Sequence, residues 1–197
     1  MWNERYSAPG FAYGTEPNEF LVEQAAHIPR GRILELAAGE GRNGVWLAQQ
    51  GYEVLCVDGS EVGLKKAAQL AGERGVHIQT VTADLAAYAI EREAFDGIVS
   101  IWCHLPVALR QSVHAGCVQG LKPGGVLVLE AYTPAQVALG TGGPNDPRLC
   151  MTLAALREEL EGLRFEVALE REREVREGQH HQGRSAVVQL VARKPKH

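Results

Sequence analysis

Short runs of β-branched and aliphatic residues alternate along the chain with longer segments whose apolar positions recur at helical spacing. "RILELA" (32–37), "YEVLCVD" (52–58), "VHIQTVTAD" (76–84), "FDGIVSIW" (95–102) and "GGVLVLEAY" (124–132) read as five strands. Between them "NGVWLAQQ" (43–50), "EVGLKKAAQLAGER" (61–74) and "PVALRQSVHAGCVQG" (106–120) read as helices. Gly51 and Gly75 close the first two, and Ser60 stands where a side-chain oxygen can cap the second. The turn Lys122-Pro123-Gly124-Gly125 leads into the fifth strand. Strands alternating with helices predict a parallel sheet covered on both faces.

The two ends depart from this alternation. An aromatic-bearing arm is followed by "EPNEFLVEQAAHIPR" (16–30), expected as a helix with Pro17 in its first turn, Phe20, Leu21, Ala25 and Ile28 near one face, and Pro29 as its stop. Beyond residue 135, "LGTGGPNDPRL" (139–149) is expected as a mobile loop beside the strand ends, and "LAALREELEGL" (153–163) as a helix. "RFEVALEREREV" and "RSAVVQLVARK" are two further strands separated only by "REGQHHQG". That segment is too short for a crossover helix, so the pair must run antiparallel. The expected fold is α/β: a single Rossmann-like, doubly wound sheet of seven strands, mostly parallel, with a terminal antiparallel hairpin. One domain over 1–197 is expected, with an arm and helix at 1–28, a core at 30–135, and a loop, helix and hairpin at 136–197.

Composition narrows the class. Hydrophobic residues at 45% and charged ones at 22% are ordinary globular values, and the apolar runs are far too short to span a bilayer. "MWNERYSAPG" lacks the features of a secretory signal, so a soluble, cytoplasmic protein with no membrane partner is expected. Cys56, Cys103, Cys117 and Cys150 form no CxxC pair, which argues for thiols over a disulfide framework or zinc knot. A formal charge of −4 offers no basic field for a phosphate backbone, so a small-molecule substrate is favoured and nucleic acid is not. A monomer or homodimer is expected.

The candidate chemistry begins at Gly39-Glu40-Gly41-Arg42-Asn43-Gly44, which has the glycine spacing of a nucleotide-binding strand-turn-helix. A pyrophosphate needs helix N-terminal N–H groups with carboxylates kept away. Here Glu35 precedes the turn and Glu40 lies inside it, so like charge disfavours a dianion and welcomes a cationic nucleoside such as S-adenosylmethionine (SAM). Asp58, at the end of the second strand, can accept from two ribose hydroxyls in either case. Asp84 at the end of the third, with the Leu85 backbone beside it, offers an acceptor where an adenine amino group would lie.

"LELAAGEGRN", "VLCVDGS", "TADL", "FDGIVSIWCHLP" and "LKPGGVLVLEAY", in that order, resemble a class I SAM-dependent methyltransferase. "WNERY", "YGTEPNEFL", "GEGRN" and "EGQHHQG" are similar to the small tellurite-resistance-like (TehB-like) members. The resemblance implies SAM as cofactor, with Gly39, Glu40, Gly41 and Asn43 around its methionine. It implies Asp58, Gly59 and Ser60 at the ribose, Asp84 and Leu85 at the adenine, and Ser100 at the sulfonium end. Glu35 stands where Asp is commoner, and Ala38 where many relatives have Cys. Trp2, Tyr6, Phe11 and Tyr13 are either a strap over an apolar edge or a lid, with Tyr13 or Arg5 reaching the methionine end.

On the acceptor side, "SIWCHLP" stands in place of the Asn-Pro-Pro-Tyr-like motif of DNA amino-methyltransferases. No cluster of carboxylates and Asn is placed to hold Mg²⁺, so no metal is expected. His104 either accepts a proton or orients the substrate, or is a hydrogen-bonded histidine capping the next helix. His180 and His181 read as two solvated imidazoles in a turn, or, by the family-like pattern of Glu177-Gly178 followed by His181 and Gly183, with His181 facing the substrate. Cys103 reads as a packed thiol. Methyl transfer by direct in-line displacement to a soft thiol, selenol or tellurium/metalloid acceptor is the leading expectation. An NAD(P)-dependent oxidoreductase, a non-catalytic SAM-binding module and an arsenic-methylating enzyme remain as alternatives.

Overall fold

Seven strands form one sheet in a computed structural model that describes residues 2–178 and 181–196. They are β1 (Arg32–Leu36), β2 (Glu53–Asp58), β3 (Gln79–Thr82), β4 (Phe95–Ile101), β5 (Leu121–Tyr132), β6 (Arg164–Glu177) and β7 (His181–Arg193), in the order β3-β2-β1-β4-β5-β7-β6. The first five run parallel, and β7 enters antiparallel to both β5 and β6. The expected seven-stranded architecture with its terminal hairpin is therefore present. Chain order reverses between β1 and β4, where crevices open beyond the carboxyl ends of parallel strands.

Period-two alternation sorts the core into two layers. On one face Ile33, Val54, Cys56 and Val99 pack under the helices α3 (Arg42–Gln49) and α4 (Glu61–Glu73). On the other, Leu34, Leu36, Val57, Ile98, Leu127 and Leu129 meet α5 (Val107–Gly120) and α7 (Leu153–Glu159). Ser60 caps α4 by accepting the Gly63 N–H, as the sequence implies. The Lys122–Gly125 turn lies inside β5: Phe95 pairs with Leu121 and Gly97 with Val126, so the residues between loop out of register.

Four local expectations are corrected. The N-terminal α-helix α2 spans only Glu19–Gln24, capped by Asn18, and runs on as a 3₁₀ turn, so Pro17 precedes the helix. β3 is shorter than its sequence segment and exposed along its length, because it forms the sheet edge. Short helices α1 (Trp2–Tyr6) and α6 (Gln136–Leu139) lie in segments read as arm and loop. α7 ends at Glu159, not residue 163.

Between α5 and α7 the dry interior holds a charged cluster. Arg110 donates to Glu159 through Nε (3.0 and 3.1 Å) and Nη2 (2.7 Å), and His114 Nδ1 lies 2.7 Å from Glu159 Oε2. Burial pushes the Glu159 carboxyl up, but the bonds from His114 and Arg110 outweigh it and hold the group below the ordinary range. Its stabilising contribution is thus complete above the unfolded-state pKa and lost as pH falls through the folded one. Glu159→Gln, which leaves Arg110 buried without a full counter-charge, is expected to cost about 3 kcal/mol in urea unfolding at pH 7 and to flatten the acid limb of the stability profile. Unchanged stability would contradict this role.

Candidate functional site

Beyond Leu36 the chain turns on three left-handed residues, Ala37 (φ 53°), Gly39 (φ 56°) and Gly41 (φ 81°), before entering α3. Ala37 is strained there, at a cost of order 1 kcal/mol. Gly41 has no alternative, since a Cβ would lie 2.4 Å from that of Ala67. Asp58 fixes the turn: Oδ2 accepts the Gly39 N–H at 2.8 Å and Oδ1 the Ser60 N–H at 2.7 Å. Burial raises the Asp58 pKa against these two lowering bonds.

A cleft of about 1210 Å³ opens at this edge. Gly39, Asp58, Gly59, Asp84 and Leu85 line one side, Ile101 through Leu105 the other, and Gly142–Asp146 of the glycine-rich loop close a third. The N-terminal segment roofs it. Tyr6 packs so closely over the turn that a Cβ on Gly39 would lie 2.7 Å from its hydroxyl. Lys66 Nζ donates to the carbonyls of Ala8 (2.8 Å) and Gly10 (2.6 Å) and to Glu40 Oε1 (2.9 Å), while Glu40 Oε2 accepts the Ala12 N–H at 2.7 Å. Asn43 Oδ1 accepts the Asn18 N–H at 2.8 Å. Where this strap crosses the β6–β7 hairpin, Gly178 (φ 62°) gives it room: a Cβ there would lie 2.3 Å from Tyr13 Cα.

Of the residues singled out in the sequence, Tyr13, Gly39, Glu40, Asn43, Asp58, Gly59, Asp84, Leu85, His104 and His181 line this one cleft. Glu35, Gly41, Ser60 and Ser100 do not. Glu35 shares its strand face with Ile33, so it points under α3, where Cys56 Sγ donates to Oε2 at 3.4 Å. Gly41 is the α3 cap, Ser60 caps α4 and donates to Asn3 Oδ1 at 2.6 Å, and Ser100 is buried beside Cys103. The picture of Glu35 and Glu40 as two bare charges facing a ligand is therefore corrected: one is withdrawn beneath a helix and the other is paired with Lys66.

The far end of the cleft is aromatic. Trp102 adopts φ 58°, an uncommon backbone for a bulky side chain, and its ring stacks on Tyr132 with centroids 4.3 Å apart. His104 Nε2 accepts the Tyr132 N–H at 2.9 Å and Nδ1 lies 3.1 Å from the Trp102 carbonyl, an arrangement that requires the Nδ1–H tautomer. Burial pushes this imidazole down to about 4. Both nitrogens being engaged by backbone, His104 is a fixed wall rather than a proton acceptor, and it does not cap α5.

His181 opens β7 instead of occupying the turn, and it is buried, not solvated. Its ring lies 4.7 Å from that of Tyr13 and 5.4 Å from that of Trp102. His180 lies outside the described residues. Cys103 is buried and its thiol is pushed up to about 12 by burial, as suits a packed thiol. Among the described residues no group of three His, Cys, Asp or Glu side chains could hold a metal, and no helix is long and apolar enough to cross a membrane.

One residue's role escaped the sequence reading. Glu177 accepts from Trp102 Nε1 at 2.5 Å and from Asn18 Nδ2 at 2.7 Å, and pairs with Arg42. Burial opposes its ionisation, but His181, Arg42 and Trp102 outweigh that and pull it down to about 2. Only the local spacing "EGQHHQG" hinted at Glu177, and nothing in it indicated partners so distant in sequence.

Residues 33–125 match the family described as a methyltransferase domain. An uncharacterized methyltransferase of Synechocystis sp., sll0829, is 31% identical over 112 residues, 57% of this chain. The chain spans about half of that relative's length, 52%. Among solved structures, TehB from Haemophilus influenzae superimposes with a TM-score of 0.73 at 20% identity, over 98% of this chain and 65% of its own. The N-methyltransferase NodS from Bradyrhizobium japonicum, in complex with S-adenosyl-L-homocysteine (SAH), gives 0.70 at 19% identity over 98% and 96%. A structure from work on the conversion of a disulfide bond into a thioacetal group during echinomycin biosynthesis gives 0.75 at 18% over 99% and 91%. At these identities the structural likenesses establish the fold.

Burial pushes Glu35 up to about 7, against bonds from Cys56, Asn43 and the Gly44 N–H. A carboxyl raised in this way binds its proton more tightly folded than unfolded, so stability falls as pH climbs from about 4.5 through 7. Glu35→Gln removes that slope. Thermal unfolding at pH 8 is expected to show the variant more stable than wild type by about 1–3 kcal/mol, with the difference vanishing near pH 4. Parallel profiles would contradict a raised Glu35.

Proposed function

We propose that this chain, a class I methyltransferase by fold and by its matched domain, transfers a methyl group from SAM to a small molecule through a soft acceptor atom, a thiol, selenol or tellurium/metalloid centre. The observation that carries the reading is the convergence of the Asp58-anchored glycine turn, Asp84 with Leu85, and the Trp102–His181 aromatic end on one roofed cleft. That outline suits an adenosyl group joined to an amino acid. Asp58 and Gly59 would hold the ribose, Asp84 and Leu85 the adenine, and Gly39, Glu40 and Asn43 the methionine. The bound donor supplies an activated methyl on a sulfonium.

The chain's own work is alignment and exclusion of water. The strap covers the turn, Tyr13 closes the side next to His181, and Trp102 and His104 form a rigid wall on the acceptor side. His181 is the proton acceptor of this reading.

Isothermal calorimetry with SAH and with NADH separates these donors: SAH is expected to bind one-to-one, and firm NADH binding without SAH binding would overturn the reading. Asp58→Asn should weaken SAH by about tenfold or more, the effect of losing a charge-assisted hydrogen bond. Incubation with deuterated-methyl SAM and a panel of thiols, selenols, tellurite, amines and catechols, read by mass spectrometry, should label a soft acceptor. His181→Asn should slow that turnover about a hundredfold with SAH affinity retained. Label on oxygen or nitrogen alone would contradict the soft-acceptor assignment, and no SAH formed on any acceptor would leave a binding module.

A further inference from the structure

Behind the aromatic end of the cleft stands a carboxylate that is not part of its lining. Glu177, the last residue of β6, is 5% exposed. Oε2 accepts the Trp102 indole N–H at 2.5 Å, pairs with Arg42 and lies 4.0 Å from His181 Nδ1. Oε1 accepts from Asn18 Nδ2 at 2.7 Å and lies 3.6 Å from Arg173 Nη2. Three features make this more than a structural ion pair. Both rings that it touches line the cleft, whereas it does not. Trp102 is built on a left-handed backbone that the indole bond helps to hold, since stacking on Tyr132 alone fixes no direction within the ring plane. And by pairing with Arg42, a cleft-lining guanidinium, the carboxylate keeps that wall from presenting a bare cation.

We infer that Glu177 is the positioning residue of the acceptor pocket: its carboxylate sets the Trp102 indole and the His181 imidazole as two walls standing 74° apart, and acts on the acceptor only through them. The inference rests on the methyl-transfer reading for what the pocket holds, but not for the geometry itself. Among the described residues, the titratable and charged groups near His181 include Glu177 from its own hairpin, Tyr132 from β5, Tyr13 from the strap and His104 from the β4–α5 connection, with Arg42 across the carboxylate.

NMR on the full chain with ¹⁵N-labelled tryptophan and ¹³C-labelled histidine tests this. The chain has three tryptophans, so the Trp102 signal is identified by its loss in Trp102→Phe, and that of His181 by its loss in His181→Asn. In the wild type the Trp102 indole N–H is expected to exchange with water at least tenfold more slowly than that of half-exposed Trp2. In Glu177→Leu, which has no acceptor, the protection should disappear; in Glu177→Gln, which keeps an acceptor but no charge, the His181 titration midpoint should fall because its carboxylate neighbour is gone, while SAH affinity by calorimetry stays within about twofold. Exchange of the Trp102 indole at the Trp2 rate in the wild type would overturn the proposal, and that measurement stands even if the variant does not fold. An unmoved His181 midpoint in a folded Glu177→Gln would overturn it too. Failure of the wild type to bind SAH would instead remove the methyl-transfer reading beneath it, an outcome that calorimetry reports separately from the ring measurements.

Discussion

A carboxylate taken out of water must be met by donors, and behind this cleft two carboxylates recruit theirs from opposite ends of the chain. Glu130, on β5 and fully buried, accepts on Oε1 from Arg173 (2.8 Å) and Gln189 (2.7 Å) and on Oε2 from Arg173 (2.8 Å) and Asn18 (2.6 Å). Glu177 takes Asn18, Arg42 and Trp102. Asn18 bridges the two acids with one amide nitrogen and uses its oxygen to cap α2. Removing the charged partner of either acid, Arg173 or Arg42, leaves charge buried without compensation, a loss of several kcal/mol. The strap, the α3 entrance, the tip of β4 and the terminal hairpin are thus held in one arrangement by the same requirement.

The cleft inherits its shape from that requirement. The glycine turn has two tasks: its backbone bends under Tyr6 toward Asp58, while its side chains reach back to hold the strap through Glu40, Arg42 and Asn43. Lys66 completes the roof from α4 by donating to strap carbonyls and to Glu40 together. The glycine-turn end of the cleft is therefore polar and hydrogen-bonded, and the far end is a set of rings fixed by Glu177 and backbone groups. Such a division suits a reaction in which placing two partners in line provides much of the acceleration.

The sheet was legible because period-two strands and helical segments alternate without ambiguity from residue 32 to 132, and the final two strands are too close for a crossover. The acids at the ends of β2 and β3 were legible by position for the same reason. Glu35 was misplaced although β1 itself held the answer: a residue two after Ile33 must share its helix-covered face. His104 was left open between two roles because its two backbone partners come from folded neighbours that no spacing encodes. Glu177 was invisible as a hub, since Asn18, Arg42 and Trp102 lie 159, 135 and 75 residues away along the chain. Long-range polar pairing depends on where the hairpin lands, and that is settled only by the assembled sheet.

The central claim is that the roofed cleft at the strand tips holds an adenosyl amino acid with its sulfur toward the Trp102 and His181 rings. A crystal structure of the chain grown with saturating SAH tests it most directly. The account predicts adenine beside Asp84 and Leu85, ribose on Asp58, sulfur facing the two rings, and the strap in place over the methionine carbons. A nucleoside bound elsewhere, or a sulfur directed away from those rings, would contradict it.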